Sequence, residues 1–367
     1  MTITPLIIRA DADTRIGAGH LMRCLALAQA WKDRGGTVTF LSHCESDSLH
    51  HRITDEGFAF VPIEGSHPDP GDLVHTLEIL EHLKGQDSKR RLRVVLDGYH
   101  FTPDYQRAIV DSGCRLLAID DEGLVDHWYA DIILNQNLHA HSSLYRSAEP
   151  HTHLLVGTQF VLLRQEFLKW TDWEREIPNT DGKILVTMGG SDPDNVTLKV
   201  IRGLNSLDAP GLEVKIVVGP ANSNIGTLEK ELHRSPFTSH LLPSVDDMPG
   251  LMAWADLAVS AGGSTCWELA FMELPSITVV LADNQKLIAE SLDRAGVAVN
   301  LGWHTDLSVK RLAHELEKLI SSPTKRRKMS NRGRSLIDGR GAYRVSDMLS
   351  QSNRHEEGIS ENIIHGQ

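Results

Sequence analysis

Short apolar runs alternate with longer amphipathic stretches along the whole 367-residue chain. Residues 6–9, 37–41, 93–96, 116–119 and 132–134 are mostly apolar without a polar alternation, the mark of parallel strands covered on both faces. Several end on polar or turn-forming residues: Asp11, Asp97-Gly98, Asp120-Asp121 and Asn135. Between them, residues 21–34 repeat Leu21, Met22, Leu25, Leu27, Ala28 and Trp31 at helical spacing. Residues 73–83 and 104–112 read the same way. This strand–helix order predicts an open, doubly wound α/β sheet.

The pattern then restarts. Strands are predicted at 183–187, 214–218, 257–260 and 276–281, with helices opening near Asn195, Cys266 and Gln285. A polar stretch at 167–182, holding Pro178 and Gly182, reads as the bridge between two such sheets. The expected organisation is therefore a first domain at 1–170 and a second at 180–322. A basic helical segment follows at 323–350, and a polar tail at 351–367 reads as disordered.

Composition narrows the function classes. Lys plus Arg number 37 against 49 Asp plus Glu, a net charge of −12, which gives no general field for nucleic acid or anionic membrane. Lys325–Lys328 with Arg332, Arg334, Arg340 and Arg344 reads as a solvated helix face, with a phosphate site as the alternative. Cys24, Cys44, Cys114 and Cys266 are scattered, as expected of reduced packing residues in a cytoplasmic protein. The first eight residues lack the basic region and length of a signal peptide. No apolar run approaches the ~18 residues of a membrane span.

Ligands of such sheets bind beyond the carboxyl ends of the strands, so the strand-end loops carry the candidate chemistry. After the first strand comes Asp11-Ala12-Asp13-Thr14-Arg15-Ile16-Gly17-Ala18-Gly19-His20. Gly17 and Gly19 allow a sharp turn close to a ligand. His20 falls in the first turn of the next helix, where the dipole disfavours imidazolium, and this suits a neutral general base. A dinucleotide fingerprint fails because position 22 is Met22. The paired histidines His50-His51, His139/His141 and His151/His153 lack acidic partners on one element, so no metal is expected. Gly262-Gly263-Ser264-Thr265-Cys266 is not the nucleophile elbow of a serine hydrolase.

In the second half, Gly189-Gly190-Ser191 and Gly263-Ser264-Thr265 each follow a strand and open a helix. Bare amides there make anion sites, with a diphosphate as the natural occupant. Glu268, one turn further, is placed to accept from a ribose diol or simply to offset the helix dipole. Asp283-Asn284-Gln285, at another strand end, suits sugar hydroxyls, a water or an N-acyl group, with helix capping as the alternative for Asp283.

These motifs together resemble a known family. Arg9-Ala10-Asp11 with Gly17-x-Gly19-His20-x-x-Arg23 resembles the start of the UDP-2,4-diacetamido-2,4,6-trideoxy-β-L-altropyranose hydrolases of pseudaminic acid synthesis. Asp97-Gly98-Tyr99, Asp120-Asp121-Glu122, Asn135-x-Asn137, Leu163-Arg164-x-Glu166-Phe167, Met188-Gly189-Gly190-Ser191-Asp192 and Asp283-Asn284-Gln285 follow in the same order. The resemblance covers roughly residues 5–300. The second half is also similar to the nucleotide-binding half of the GT-B glycosyltransferase that adds N-acetylglucosamine to the lipid-linked cell-wall precursor. Val245-Asp246-Asp247-Met248, Ala255-Asp256 and Gly262-Gly263-Ser264-Thr265 with Glu268 carry that similarity.

The resemblance implies a GT-B-like α/β fold, two Rossmann-like doubly wound domains facing a cleft. It implies hydrolysis of a UDP-sugar with inversion and without metal or cofactor, water attacking the anomeric carbon and His20 as base. Arg9, Asp11, Gly17, Gly19, Tyr99, Asn135, Asn284 and Gln285 would lie about the sugar, Asp11 either orienting His20 or binding the sugar. Gly189, Gly190, Ser191, Gly263, Ser264 and Thr265 would hold the diphosphate, Val245 and Met248 the uracil, and Glu268 the ribose. The UDP-sugar is the expected partner of a monomer. Two alternatives of other classes stand beside it: a GT-B glycosyltransferase with an acceptor other than water, and a non-catalytic UDP-sugar binder. The chain is longer at its C-terminus than the hydrolase resemblance requires, and the extra segment is expected to pack back on the first domain.

Overall fold

A computed structural model describes residues 4–351 except 14, 15, 66, 86–90, 180, 181, 191, 210, 220, 221 and 244. The tail read as disordered, from 352 onward, and Ser191 lie outside the described residues. The first sheet comprises β1 (Leu6–Ala10), β2 (Val38–Ser42), β3 (Ala59–Pro62), β4 (Arg93–Asp97), β5 (Arg115–Ile119), β6 (Ile132–Asn135) and β7 (His153–Val156). Its order is β3-β2-β1-β4-β5-β6-β7, all parallel. The second comprises β8 (Lys183–Thr187), β9 (Glu213–Val217), β10 (Thr238–Leu242), β11 (Leu257–Ala261), β12 (Ser276–Val280) and β13 (Ala298–Trp303). Its order is β10-β9-β8-β11-β12-β13, also parallel.

The first lobe carries α1 (Gly19–Asp33), α2 (Asp47–Thr54), α3 (Asp72–Lys84) and α4 (Pro103–Asp111) on these strands, with α5 (Gln165–Leu168) in the connector. The second carries α6 (Val196–Asn205), α7 (Ile225–Leu232), α8 (Met248–Trp254), α9 (Thr265–Phe271), α10 (Lys286–Ala295) and α11 (Val309–Ile320). Two further helices, α12 (Pro323–Leu336) and α13 (Gly341–Ser350), end the described chain. Local chemistry fixes several starts. Thr102 Oγ1 accepts from Tyr105 N ahead of Pro103, the preset first residue of α4. Asp247 likewise accepts from Gly250 N at 2.9 Å to open α8.

The central strands are buried along their length, β1, β5, β11 and β12 at every residue. The strands that sequence periodicity passes over are β3, β7, β10 and β13, and these are the four sheet edges. Their burial is broken, as in the half-exposed β10, so they lack the continuous apolar run of a covered strand.

α12 packs on α9 of the second lobe, and α13 crosses back to lie along α1 of the first. Val345 and Leu349, fully buried, join the same core as Leu25 and Trp31. The Arg93 side chain donates to the carbonyls of Leu349 and Ser350, closing the end of α13. The basic segment is not simply a solvated face. Arg326 is fully buried and donates to the carbonyls of Leu319, Ile320 and Pro178, each at 2.6 Å.

Candidate active site

Both sheets reverse their strand order at one point, between β1 and β4 in the first and between β8 and β11 in the second. A doubly wound sheet opens its crevice at such a point, and here the two crevices face each other across a cleft of about 1100 Å³. The loop after β1 supplies Asp11, Gly17, Gly19 and His20, and the end of β4 supplies Asp97 and Tyr99. From the second lobe come Gly189 and Gly190 after β8, Gly263, Ser264, Thr265 and Glu268 after β11, and Asn284 and Gln285 after β12, with Val245 and Met248 beside them. A Cβ on Gly190 would stand 3.5 Å from Ala18 N, so the β8 turn sits against the mouth of α1.

His20 lies in the first turn of α1 and is 6% exposed. Asp97 ends β4 directly across from Ala10 in β1, which brings its carboxylate under that turn. His20 Nδ1 is 2.7 Å from Asp97 Oδ1, leaving Nε2 as the ring nitrogen open to the cleft. Arg23, one turn on, donates to both Asp97 oxygens at 2.7 and 2.6 Å and to Asp121 at 2.9 and 3.0 Å. The guanidinium holds the Asp97 and Asp121 carboxyls below the usual carboxylate range despite full burial. Asp121 also accepts from Asn137 Nδ2 at 2.8 Å and from the Tyr99 hydroxyl at 2.7 Å. That hydroxyl in turn accepts from Asn284 Nδ2 at 2.8 Å, so one hydrogen-bond chain crosses the cleft.

Two residues expected about the sugar do not reach the cleft. Arg9 is buried beneath it, donating to Asp11 and, at 3.2 and 2.8 Å, to Asp72. A guanidinium spent on two buried carboxylates has no face left for substrate. Asn135 is fully buried at the end of β6, donating to Tyr145 Oη and accepting from Asn137 N. Its neighbours Gln136 and Asn137 line the cleft instead. Of the two roles left open for Asp11, orienting His20 belongs to Asp97. Asp11 faces Arg9, the His43 amide at 2.7 Å and His100 Nε2 at 3.4 Å.

The two glycine turns of the second lobe differ. Gly189 has a φ of +86°, a conformation L side chains rarely adopt, and a Cβ on Gly219 would meet Gly190 O at 2.0 Å. Yet the amides of Val196 and Thr197 that open α6 are already taken by Asp192, at 2.8 and 2.9 Å. A resident carboxylate there opposes a second anion. No side chain caps α9 after Ser264, so no resident carboxylate occupies the β11 turn. Glu268 lines the cleft with one oxygen 2.8 Å from Arg164 Nη2. Burial pushes its carboxyl up while Arg164 opposes that shift.

Asp97, Arg23, Asp121, Asn137 and Asp192 are the functional neighbours that sequence reasoning left unassigned. All sit in the strand-end motifs already quoted, and Arg23 shares a helix face with His20 at i,i+3. Among the described residues, no group of three or more His, Cys, Asp or Glu is arranged to hold a metal ion. No helix among them is long and apolar enough to cross a membrane.

Residues 184–339 match the model of the glycosyltransferase family 28 C-terminal domain. Over 347 residues, 93% of this chain and 96% of the relative, the chain is 22% identical to the spore coat polysaccharide biosynthesis protein SpsG of Bacillus subtilis. It is 24% identical over 302 residues to the UDP-2,4-diacetamido-2,4,6-trideoxy-β-L-altropyranose hydrolase of Campylobacter jejuni, covering 80% of this chain and 98% of that enzyme. The crystal structure of Acinetobacter baumannii MurG superposes with a TM-score of 0.65 at 16% identity, covering 94% of this chain and 99% of that one. The chain therefore has the GT-B fold, and its second lobe matches the family 28 glycosyltransferase C-terminal domain from Ile184 to Gly339.

Proposed function

We propose that the protein hydrolyses a UDP-linked 2,4-diacetamido-2,4,6-trideoxyhexose at the anomeric C–O bond with inversion, releasing UDP and the free sugar for nonulosonic acid synthesis. One observation carries this reading. His20 is held through Nδ1 by Asp97 so that Nε2 meets the cleft opposite the β11 turn. A carboxylate on Nδ1 fixes the proton there and leaves Nε2 as a proton acceptor.

The chemistry balances with that group alone. A water oxygen bonds to C1 while its proton passes to His20 Nε2, and the C1–O bond breaks with its electron pair going to the β-phosphate of UDP. A single displacement inverts C1. Glycosidases commonly need a second, protonated carboxyl for the leaving oxygen; a diphosphate leaves without one when fixed dipoles meet its charge. Gly263, Ser264 and Thr265 supply those dipoles in this reading, with Gly189 and Gly190 walling the same side. Val245 and Met248 receive the uracil and Glu268 the ribose. Asp11, Gly17, Gly19, Tyr99, Asn284 and Gln285 surround the sugar, Arg9 and Asn135 having dropped out.

The similarity to the Campylobacter hydrolase across both lobes supports water as acceptor. The family 28 match supports the second reading, transfer to another acceptor. Incubation with UDP-diacetamido sugars and no acceptor, followed by assay of UDP and reducing sugar, separates them. Equimolar release of both is expected. UDP release only on adding an acceptor would establish the transferase.

A further inference from the structure

Leu163-Arg164-x-Glu166-Phe167 is a motif that the reading above leaves without a task. Arg164 lies in the connector after β7, ahead of α5. The connector is fastened to the first lobe, where Gln165 N donates to Gln29 Oε1 at 2.9 Å and Arg52 Nη2 meets Glu166 Oε1 at 3.1 Å. From there Arg164 divides its fork. Nη1 lies 2.9 Å from Glu166 and Nη2 lies 2.8 Å from Glu268 of the second lobe. Its guanidinium stacks over Phe167, 5.2 Å from the ring centroid, which fixes the plane of the fork. Both partners are mostly buried, with side-chain exposures of 11% for Arg164 and 17% for Glu268.

We infer that Arg164 is the positioning residue that keeps the Glu268 carboxylate charged and aimed at the ribose, so that the connector sets nucleotide affinity without touching the nucleotide. The inference rests on the UDP reading above. A carboxylate accepts from both hydroxyls of a cis-diol only while ionised and correctly turned. Among the described residues, Arg164 is the cation that acts on Glu268. The titratable groups facing it are Arg164, Glu166 and the Cys266 thiol, and of these Arg164 alone favours the ionised form. Without Arg164, burial and Glu166 both push the Glu268 proton on.

The test is calorimetric titration of the full-length protein with UDP and with 2′-deoxy-UDP at pH 6 and pH 8.5. The ratio of the two affinities isolates the ribose contact and cancels the ionisation of the phosphates. The native protein should prefer UDP by ~10-fold or more at both pH values, the scale of a hydrogen bond to a charged group. In Arg164→Met the ratio should fall towards unity at pH 6 and recover at pH 8.5 as Glu268 ionises. Arg164→Lys, which keeps the charge and loses the fork, should be intermediate and stands in should the Met variant not fold. Glu268→Gln should show a low ratio at both pH values. A native-like, pH-independent ratio in the folded Met variant, or in the Lys variant if Met does not fold, overturns the inference and leaves the UDP reading intact. Native protein that binds UDP without preferring it to the deoxy form also overturns it. Native protein that binds neither overturns the UDP reading itself.

Discussion

His20 Nδ1 and Asp97 Oδ1 stand 2.7 Å apart although 77 residues separate them in sequence, because β1, which leads into α1, pairs with β4, which Asp97 ends. Asp97 is fully buried and also receives two donors from Arg23, so the carboxylate is pinned on three sides. The imidazole therefore meets the cleft in one orientation. If Nε2 is the proton acceptor, His20→Ala should lower kcat by ~10²–10⁴ and leave UDP affinity within a few fold. A kcat unchanged in that variant, measured by UDP release, would remove His20 from the chemistry.

Asp97 offers a sharper test of the same pair. Asp97→Asn keeps the shape but can present an N–H to Nδ1, which turns the ring proton onto Nε2. A kcat loss of ~10²–10⁴ is expected with little change in KM, since only proton transfer is affected. Stability should fall as well, because Arg23 keeps one carboxylate instead of two; ~1–3 kcal/mol is the usual scale for a charged group losing a partner. Parallel loss of activity and KM would assign Asp97 to substrate binding.

That pair also marks what could be read in advance. The strands of continuous burial, such as Leu6–Ala10 and Leu257–Ala261, are legible because both faces demand apolar side chains. The edge strand Thr238–Leu242 shows only a half-exposed mixture, and nothing in it distinguishes a strand from a loop. The candidate site divides along a similar line. Residues placed just after strand ends, His20, Tyr99 and Asn284 among them, follow from the rule that ligands sit at strand ends. Arg9 and Asn135 occupy equally suggestive positions, yet the sheet turns them inward onto Asp72 and Tyr145. Strand residues alternate between faces, and no local signal says which polar one meets the cleft. Asp97 was visible as a motif; its partner was settled only by the pairing of β4 with β1.

Acid should destabilise the protein through its buried ion pairs. Asp11 has its carboxyl held below the ordinary range by His100 and Arg9, and Asp97 and Asp121 have theirs held down by Arg23. Their contribution is present above the unfolded value near pH ~4 and is lost as pH falls through the folded values. Asp120, Asp192 and Glu268 are pushed up by burial and act in the opposite sense, relieving a cost as pH falls through their raised values towards the unfolded value near ~4. Urea unfolding should thus give nearly constant stability from pH 7 to pH 5 and a loss of at least ~2 kcal/mol by pH 3. A stability that rises monotonically into acid would contradict the ion-pair assignment.

The returning helix α13 should matter to the first lobe although it is the last element of the described chain. Leu349 is fully buried in the core that holds Trp31 and Leu25. Leu349→Ala should cost ~2–5 kcal/mol, the transfer and cavity terms of a buried leucine. Hydrogen exchange should place the loss in α1, which packs along α13. An equal loosening of the second lobe, with α1 unchanged, would show that α13 belongs energetically to the other sheet.

Tyr99 tests whether the two lobes are coupled through the cleft. Its hydroxyl donates to Asp121 at 2.7 Å and accepts from Asn284 at 2.8 Å, while the residue is 52% exposed and its ring meets the His20 ring edge-on with centroids 5.1 Å apart. Tyr99→Phe removes the bridge and keeps the ring. Asn284 then loses its tie to the first lobe, and Asp121 retains Arg23 and Asn137. The fold should therefore survive with a loss of ~1–2 kcal/mol. If Tyr99 and Asn284 hold the sugar between the lobes, the variant should raise KM for the sugar nucleotide by ~10-fold, since one hydrogen bond fixes the position of the group that binds. Affinity for UDP alone should stay unchanged if the nucleotide contacts are those proposed on the second lobe. An equal weakening for UDP and for the sugar nucleotide would instead mean that the Tyr99–Asn284 contact sets the spacing of the whole cleft.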